Sequence, residues 1–319
     1  MDIKTALIEG LQSNPKYLPV WYRYDKQGSL YNDKCLSDNK FYYFYKSELN
    51  VISTSVKEIV DQVASPCILV EMGSGNSEKS RTFIDAILQR QKTLTYIPVD
   101  ISADFLQECS DALSVDYGEK LNVKPIAGDY SVGIQQISSI PGRKLIIWLG
   151  GGFQNQPYSV QVQRIHSLSQ TMTEEDRLLI ALDITQDAEA VENAYLDPTG
   201  VAAPLYLNAL WRLNREYGGD IDTDKFQLEA KFERSTEADR LSRLVLKAVS
   251  KCDQRYNITG LGIDVTFKTG EYLRLHEGEG VSCKYSEHQI RTLAQKGGQR
   301  LDKIWTDSEN HVALCFIAK

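Results

Sequence analysis

Short apolar runs rich in β-forming residues alternate with amphipathic stretches between residues 67 and 183. Five runs have the length and composition of strands buried on both faces, namely 67–72, 94–99, 121–126, 145–149 and 178–182. Amphipathic stretches with apolar residues at helical spacing lie between them, at 79–90 and 103–113. This alternation predicts a parallel, doubly wound α/β sheet.

The pattern changes after residue 187. Helical spacing returns at 188–195, 204–217 and 287–295, whereas period-two alternation predicts antiparallel strands at 241–249, 258–267 and 271–276. A hairpin formed by 301–306 and 311–318 is expected to close the edge of the parallel sheet. We therefore predict an α/β domain at 51–187 and 276–319, an inserted α+β domain at 188–275, and an N-terminal segment at 1–50 that caps the active site.

Composition and charge limit the kinds of molecule that this protein is expected to bind. A net charge of -7 and a pI near 5.3 disfavour nucleic acid, because such binding requires a basic surface. No apolar run approaches the ~20 residues that cross a bilayer, and the first residues lack the apolar core of a signal peptide. We expect a cytoplasmic protein without a membrane partner, and the sequence leaves its oligomeric state open. Six cysteines without a CxxC pair and four histidines without ligand spacing predict neither a disulfide framework nor a metal site.

The stretch VEMGSGNSEKS at 70–80 runs from the first predicted strand into a glycine turn. Glu78 occupies the position where both a P-loop and a dinucleotide-binding turn would have a glycine, and its carboxylate would repel phosphate. A cofactor without phosphate agrees better with the turn Gly73, Ser74 and Gly75, where the backbone allows close approach. S-Adenosylmethionine (SAM) is such a cofactor.

Two acids follow the next predicted strands. Asp100 is placed to accept from a ribose diol, and Asp129 from an adenine amino group, with Tyr130 beside the ring. Each acid alone is better explained as a helix cap. Together with the glycine turn they favour SAM.

Four stretches resemble one family: GSGNSEKSRTFIDAI at 73–87, YIPVDIS at 96–102, LGGGFQN at 149–155, and AYLDPTGVAAPLYLNALWRLNREYGGDIDTDKF at 194–226. They are similar to the histidine Nα-methyltransferases of ergothioneine biosynthesis and their relatives acting on tryptophan-type amino acids. The resemblance covers nearly the whole chain. It implies a class I SAM-dependent methyltransferase with a Rossmann-like doubly wound sheet, an inserted substrate-binding domain, and a free amino acid as its small-molecule substrate.

The resemblance also implies roles for individual residues. Cofactor contacts are implied at Tyr24, Gly73, Lys79, Asp100, Asp129 and Tyr130. Tyr42 and Gly150 would orient the substrate amine as catalytic groups, and Asn155 and Tyr195 would hold its α-amino and α-carboxylate groups. From the residues alone, Asn155 is better explained as a turn residue before a proline, and Tyr195 as a half-buried aromatic.

The sequence departs from the family where the side chain of histidine would be recognised. Ser282 is kept, but the family's acid falls on Gly280, and its methionine on Leu244. Glu279 is adjacent to Gly280, yet neighbouring strand residues point to opposite faces. These differences favour a neutral substrate side chain such as an indole, or a larger side chain that fills the space left at Gly280.

The sequence therefore predicts a SAM-dependent N-methyltransferase acting on the α-amino group of a free amino acid. The proposed chemistry is direct attack of the neutral amine on the sulfonium methyl, with positioning as the main source of acceleration. Two alternatives stay open from the sequence: a degenerate methyltransferase that serves as a binding scaffold, and an NAD(P)-dependent oxidoreductase.

Overall fold

The structure is a computed structural model that describes residues 2–278 and 280–319. The α-helices of this part of the chain are α1 Ile3–Gln12, α2 Lys26–Asp38, α3 Tyr43–Asp61, α4 Glu78–Leu88, α5 Ala103–Tyr117, α6 Tyr130–Ser138, α7 Tyr158–Thr171, α8 Ala188–Leu196, α9 Ala203–Tyr217 and α10 Glu287–Lys296. Its strands are β1 Lys16–Tyr17, β2 Ile68–Met72, β3 Leu94–Asp100, β4 Leu121–Val123, β5 Ile126–Ala127, β6 Lys144–Trp148, β7 Arg177–Asp183, β8 Phe226–Glu233, β9 Ser242–Ser250, β10 Gln254–Ile258, β11 Ile263–Phe267, β12 Tyr272–Arg274, β13 Val281–Lys284, β14 Arg300–Thr306 and β15 Val312–Ala318.

The chain divides into two compact units. The larger unit comprises Phe44–Thr185, Thr236–Leu241 and Lys284–Lys319. Its sheet has the order β14-β15-β7-β6-β2-β3-β4, with β5 also pairing with β3. Strands β2 to β7 are joined in parallel, and β15 is antiparallel to both β7 and β14. The predicted doubly wound sheet and its C-terminal edge hairpin are confirmed.

The local sequence explains these elements. Strand β6 is buried at every residue, as a strand covered by helices on both faces should be. Helix α4 buries Ser80, Phe83, Ile84 and Ile87, which lie on one face at helical spacing. The single strand predicted at 121–126 is wrong: β4 and β5 are separated at Pro125, which has no N–H to donate to a strand ladder.

The smaller unit comprises the residues up to Tyr43, Gln186–Ser235 and Ser242–Cys283. Its main sheet has the order β1-β12-β9-β13, with β8 pairing along β9, and β10 and β11 form a separate hairpin. The predicted helices at 188–195 and 204–217 are confirmed as α8 and α9. The cofactor-binding, substrate-binding and capping roles of the predicted domains stay predictions.

Two strand predictions in the smaller unit need correction. The strand predicted at 258–267 is instead a hairpin, because the chain reverses through Thr259–Leu261 and Gly262, whose φ is +67°. Strand β8 was not expected. Its segment FQLEAKFE alternates between buried and exposed positions, but three charged residues at the exposed positions make the segment too polar to be recognised as a strand from its sequence.

No helix among the described residues is long and apolar enough to span a membrane.

Candidate active site

The carboxyl ends of β2, β3 and β6 form the edge of the larger unit's sheet where α/β proteins bind ligands. The glycine turn follows β2, and Gly73 and Gly75 have φ values of +76° and +51°. The backbone N–H groups of Gly73 and Ser74 both donate to the carbonyl of Val99, at 2.8 and 3.1 Å. The turn is therefore fixed to the end of β3.

Asp100 lies at this edge and holds the same turn. Its Oδ2 accepts from the backbone N–H of Gly75 at 3.0 Å, and its Oδ1 from that of Ser102 at 3.0 Å. Each carboxylate oxygen can accept a second hydrogen bond. Asp100 is thus oriented by the backbone and still has the capacity to accept from a diol.

Asp129 acts as the N-cap of α6. Its Oδ1 accepts from the backbone N–H groups of Ser131 and Val132, at 2.7 and 3.0 Å. These hydrogen bonds lower the pKa of Asp129. The helix-cap role, which the sequence left open, is therefore present, and Asp129 is an ionised acceptor beside Tyr130.

Tyr130 packs against Trp148, with the ring centroids 4.5 Å apart. Its hydroxyl lies 3.0 Å from the position that a Cβ would take on Gly73 and only 2.4 Å from that on Gly152. Burial raises the pKa of Tyr130. Both glycines are therefore needed for the close approach of this ring to the turn.

A buried carboxylate that the sequence reasoning missed connects two predicted site residues. Glu48 on α3 accepts from Lys79 Nζ at 2.7 Å through Oε2, and from the backbone N–H of Gly150 through Oε1. The side chain of Glu48 is 1% exposed and that of Lys79 19%. Lys79 Nζ also lies 3.3 Å from the position of a Cβ on Gly150, whose φ is +72°. No local pattern marks Glu48, because its partners are distant in the chain.

A second missed carboxyl, Glu71, lies on β2 directly before the glycine turn. It is buried and accepts hydrogen bonds from the hydroxyls of Ser80 and Tyr96. Burial raises the pKa of Glu71 to about 7, although both hydroxyls and Lys79 oppose the shift. Burial also raises the pKa of Tyr96, and the charge of Glu71 adds to this effect. These hydrogen bonds connect the end of β2, just before the glycine turn, to α4 and β3.

These residues fit SAM. The turn allows close backbone approach, with no described atom within 4 Å of a Cβ position on Gly75. The buried Ser74 Oγ has no hydrogen-bond partner among the described residues. Asp100 offers acceptors, and an ammonium such as Lys79 has three donors, of which Glu48 takes one. No cluster of acidic, histidine or cysteine residues that could hold a metal occurs within 2–278 or 280–319.

The smaller unit brings together two tyrosines predicted to contact substrate. The rings of Tyr42 and Tyr195 meet edge to face at 6.4 Å, and Tyr195 stacks on Tyr206 at 6.1 Å. Asn39, which is fully buried, connects them: its Nδ2 donates to the carbonyl of Ala194 at 2.9 Å, and its carbonyl accepts from the N–H of Tyr42 at 3.3 Å. The sequence reasoning did not select Asn39.

The remaining predicted residues have varied environments. Tyr24 is 45% exposed, with the guanidinium of Arg23 5.7 Å from its ring centroid. Leu244 is completely buried within the core of the smaller unit. In the larger unit, Asn155 is exposed and its backbone N–H donates to the carbonyl of Gly151 at 3.1 Å.

The strand predicted to contact the substrate side chain is irregular. Ser282 is buried and has a φ of +51°, so the regular alternation of side chains is interrupted there. A Cβ on Gly280 would lie 2.7 Å from Cδ of Arg243 and 2.9 Å from the carbonyl oxygen of Leu244. The expected space at Gly280 is thus occupied by Arg243. Glu279 lies outside the described residues.

The fold and this sheet edge define a class I SAM-dependent methyltransferase. A family model described as "Histidine-specific methyltransferase, SAM-dependent" matches residues 3–319. The chain belongs to this family, and S-adenosylmethionine is its cofactor. The oxidoreductase and scaffold alternatives are therefore set aside.

Named relatives align along most of the chain. The histidine N-alpha-methyltransferase of Mycobacterium tuberculosis (strain CDC 1551 / Oshkosh) is 30% identical over 324 residues, which cover 100% of this chain and 95% of the relative. That of Mycolicibacterium smegmatis is 29% identical over 310 residues, covering 97% and 92%. The N-methyltransferase imqF of Aspergillus flavus is 22% identical, covering 97% and 83%.

Proposed function

We propose that this enzyme transfers a methyl group from SAM to the α-amino group of a free amino acid. The observation that carries this proposal is the family match over residues 3–319, which includes both units and not the cofactor edge alone. The relative that is 30% identical along the whole chain is named a histidine N-alpha-methyltransferase.

On the cofactor side, SAM supplies an electrophilic methyl group on a sulfonium. The turn Gly73, Ser74 and Gly75 receives the cofactor through close backbone approach, and Asp100 accepts from its ribose. Lys79, held by Glu48, provides a cation for its carboxylate. Asp129 and Tyr130 contact the adenine.

On the substrate side, we assign Tyr42 to orientation of the amine, and Tyr195 and Asn155 each to recognition of the α-amino and α-carboxylate groups. The attacking amine must be neutral. A tyrosine hydroxyl has an ordinary pKa near ~10, so orientation rather than general-base catalysis is assigned to Tyr42. The N–H of Gly150 donates to Glu48, and the carbonyl of Gly150 is the backbone group that can accept from the amine. Positioning of this kind contributes up to ~7–11 kcal/mol in model reactions.

The identity of the substrate side chain is the finer part of the proposal. The absence of an acid at Gly280 favours a neutral substrate side chain such as an indole. Free space at Gly280 would also favour a large side chain, but Arg243 contacts this position and leaves less room. Tryptophan-type amino acids should therefore be tested as substrates alongside the other amino acids.

The direct test incubates the purified full chain with SAM and a panel of free amino acids, and detects methyl addition by mass spectrometry. We expect at least one amino acid to gain methyl groups on its α-nitrogen. If none does while SAM still binds in calorimetry, the proposal is wrong.

Site assignments are tested with Asn155→Ala and Tyr195→Phe. Both are expected to raise the KM for the amino acid and to leave the Kd for SAM unchanged. Tyr217→Phe, on the C-terminal turn of α9, is the matched control for Tyr195→Phe and should alter neither constant. Equal losses for substrate and cofactor would refute the assignment.

A further inference from the structure

Arg23 is a buried cation without a carboxylate partner in the described chain. Its relative exposure is 5%, and no ion pair with an Asp or Glu of residues 2–278 and 280–319 is present. Its Nε donates to the carbonyl of Val20 at 3.2 Å, whereas its Nη1 is buried without a hydrogen-bond partner. The guanidinium lies 5.3 Å from the ring centroid of Tyr206, which offers some compensation for burial. Buried arginines are otherwise almost always paired.

Two further polar groups nearby lack partners in the same part of the structure. Arg274 donates from Nη1 to the carbonyl of Gly278 at 3.0 Å, but its Nε is buried and unsatisfied. His276 is completely buried, with Nδ1 3.1 Å from the carbonyl oxygen of Glu277, while its Nε2 has no described partner. Buried polar atoms in proteins are usually hydrogen-bonded, so these three atoms are donors or acceptors that a polar ligand or water can engage.

Hydrogen bonds join the two segments that carry these groups: the backbone N–H of Leu18 donates to the carbonyl of Arg274 at 2.9 Å, and that of Val20 to the carboxylate of Glu277 at 2.7 Å. The pKa of His276 falls to about 4, chiefly because of burial, and the charges of Arg274, Arg23 and Arg243 lower it further against the opposing carbonyl of Glu277. A neutral imidazole therefore lies within electrostatic reach of three guanidinium groups.

The described carboxylates of this region do not neutralise Arg23 or Arg274. Glu233 pairs with Arg243 at 3.1 Å, and Glu277 accepts from the backbone N–H of Val20 at 2.7 Å. Arg23 is thus a buried guanidinium without an ion-pair partner among the described residues, and burial of such a charge is costly unless an anion compensates it.

The cluster adjoins the tyrosines assigned to the substrate. Arg23 lies over Tyr206, and Tyr206 stacks on Tyr195. On the other side, Arg243 fills the position where the family's acid would stand at Gly280.

We propose that the preferred methyl acceptor is an amino acid whose side chain ends in a carboxylate, bound by Arg23 and Arg274 beside His276. This inference rests on the proposed function in identifying the tyrosines as substrate contacts. A carboxylate matches guanidinium donors in charge and planar geometry. Because His276 is neutral, it adds no further positive charge to the cluster.

Binding is measured by isothermal titration calorimetry of the full chain saturated with S-adenosylhomocysteine. The titrants are aspartate, glutamate and 2-aminoadipate, with asparagine and glutamine as uncharged isosteres of the first two, and histidine and tryptophan for comparison. We expect an acidic amino acid to bind about 10–100-fold more tightly than its amide, as for hydrogen bonds to charged groups.

Variants connect this preference to the cluster. Arg23→Met and Arg274→Met should each abolish the discrimination between acid and amide, while Arg274→Lys should retain part of it. Arg255→Met, an exposed arginine of the same unit paired with Asp264, is the control and should leave the discrimination unchanged. Retained binding of S-adenosylhomocysteine by each variant reports that the protein is folded.

The outcomes separate this inference from the proposed function. If histidine, tryptophan or an amide binds as tightly as the acids and is methylated, the anionic substrate is wrong and α-N-methylation stands. If an acid binds preferentially but no free amino acid is methylated, the site is supported and the proposed function fails. Absence of acid binding, or discrimination that survives in both methionine variants, would overturn the inference.

Discussion

The buried carboxyl of Glu71 should make the stability of this protein depend on pH in an unusual direction. Glu71 lies beneath the glycine turn, accepts from Ser80 and Tyr96, and has its pKa raised to about 7 by burial. In the unfolded chain the same group titrates near its ordinary value of 4.5. The folded protein therefore keeps a proton on Glu71 over a pH range in which the unfolded chain has lost it.

The difference between these two pKa values sets the direction and the size of the change in unfolding free energy with pH. The contribution of Glu71 is fully present below pH 4.5, is lost as the pH rises through about 7, and is constant above that. The interval between 4.5 and about 7 corresponds to about 3 kcal/mol of unfolding free energy. Glu71→Gln keeps the shape and an acceptor oxygen but cannot ionise, so it removes this dependence.

The assay is urea unfolding of the wild type and of Glu71→Gln at a series of pH values from 4 to about 8.5, spanning both pKa values. The free energy of unfolding of the wild type should fall by about 3 kcal/mol relative to the variant across this range. Tyr96→Phe removes a hydrogen bond that lowers the pKa of Glu71, so it should enlarge the fall. Glu119→Gln, at an exposed position, controls for the substitution itself. A wild-type curve parallel to that of Glu71→Gln would show that Glu71 is ionised in the folded protein, and would refute the reasoning.

Three other predictions concern the active site and its supports. Glu48→Gln should weaken SAM binding by about 1.5–3 kcal/mol, because Lys79 loses a charged partner. In calorimetry, the double variant Glu48→Gln/Lys79→Met should lose less binding free energy than the sum of the two single variants. Gly152→Ala should raise the Kd for SAM, since its Cβ would lie 2.4 Å from the hydroxyl of Tyr130; unchanged affinity would contradict the assigned ring position. Gly280→Ala should lower the free energy of unfolding by about 1–3 kcal/mol, since its Cβ would lie 2.9 Å from a backbone carbonyl oxygen; urea unfolding that matches the wild type would contradict this geometry.

Residues of the candidate site differ in how far their environment could be foreseen. Gly73, Gly75 and Asp100 follow the ends of predicted strands, and parallel strands bring their carboxyl ends to one edge, so their grouping was predictable. Asp129 was ambiguous between a cap and a ligand contact, and the structure gives it the cap hydrogen bonds. Gly280 was misjudged, because the contact of Arg243 comes from an adjacent strand.

The same distinction applies to the supporting residues. Glu48 is 31 residues from Lys79 and 102 from Gly150 along the chain, so no local pattern predicts their network. Asn39 holds Ala194 across 155 residues. From sequence alone, a polar residue on a helix is predicted to lie on the surface, because its long-range partner is not known.

The doubly wound sheet, its edge hairpin, the glycine turn and the family could be predicted from the sequence, because periodicity and turn chemistry act between neighbours in the chain. Which charged groups are buried, and how they are paired, could be seen in the folded chain alone. Burial of Glu71 and Arg23 depends on segments that pack around them from elsewhere in the chain, and the energy of a charge is set by those surroundings. The methyl donor could therefore be inferred from local sequence, whereas the charge proposed for the methyl acceptor is argued from packing.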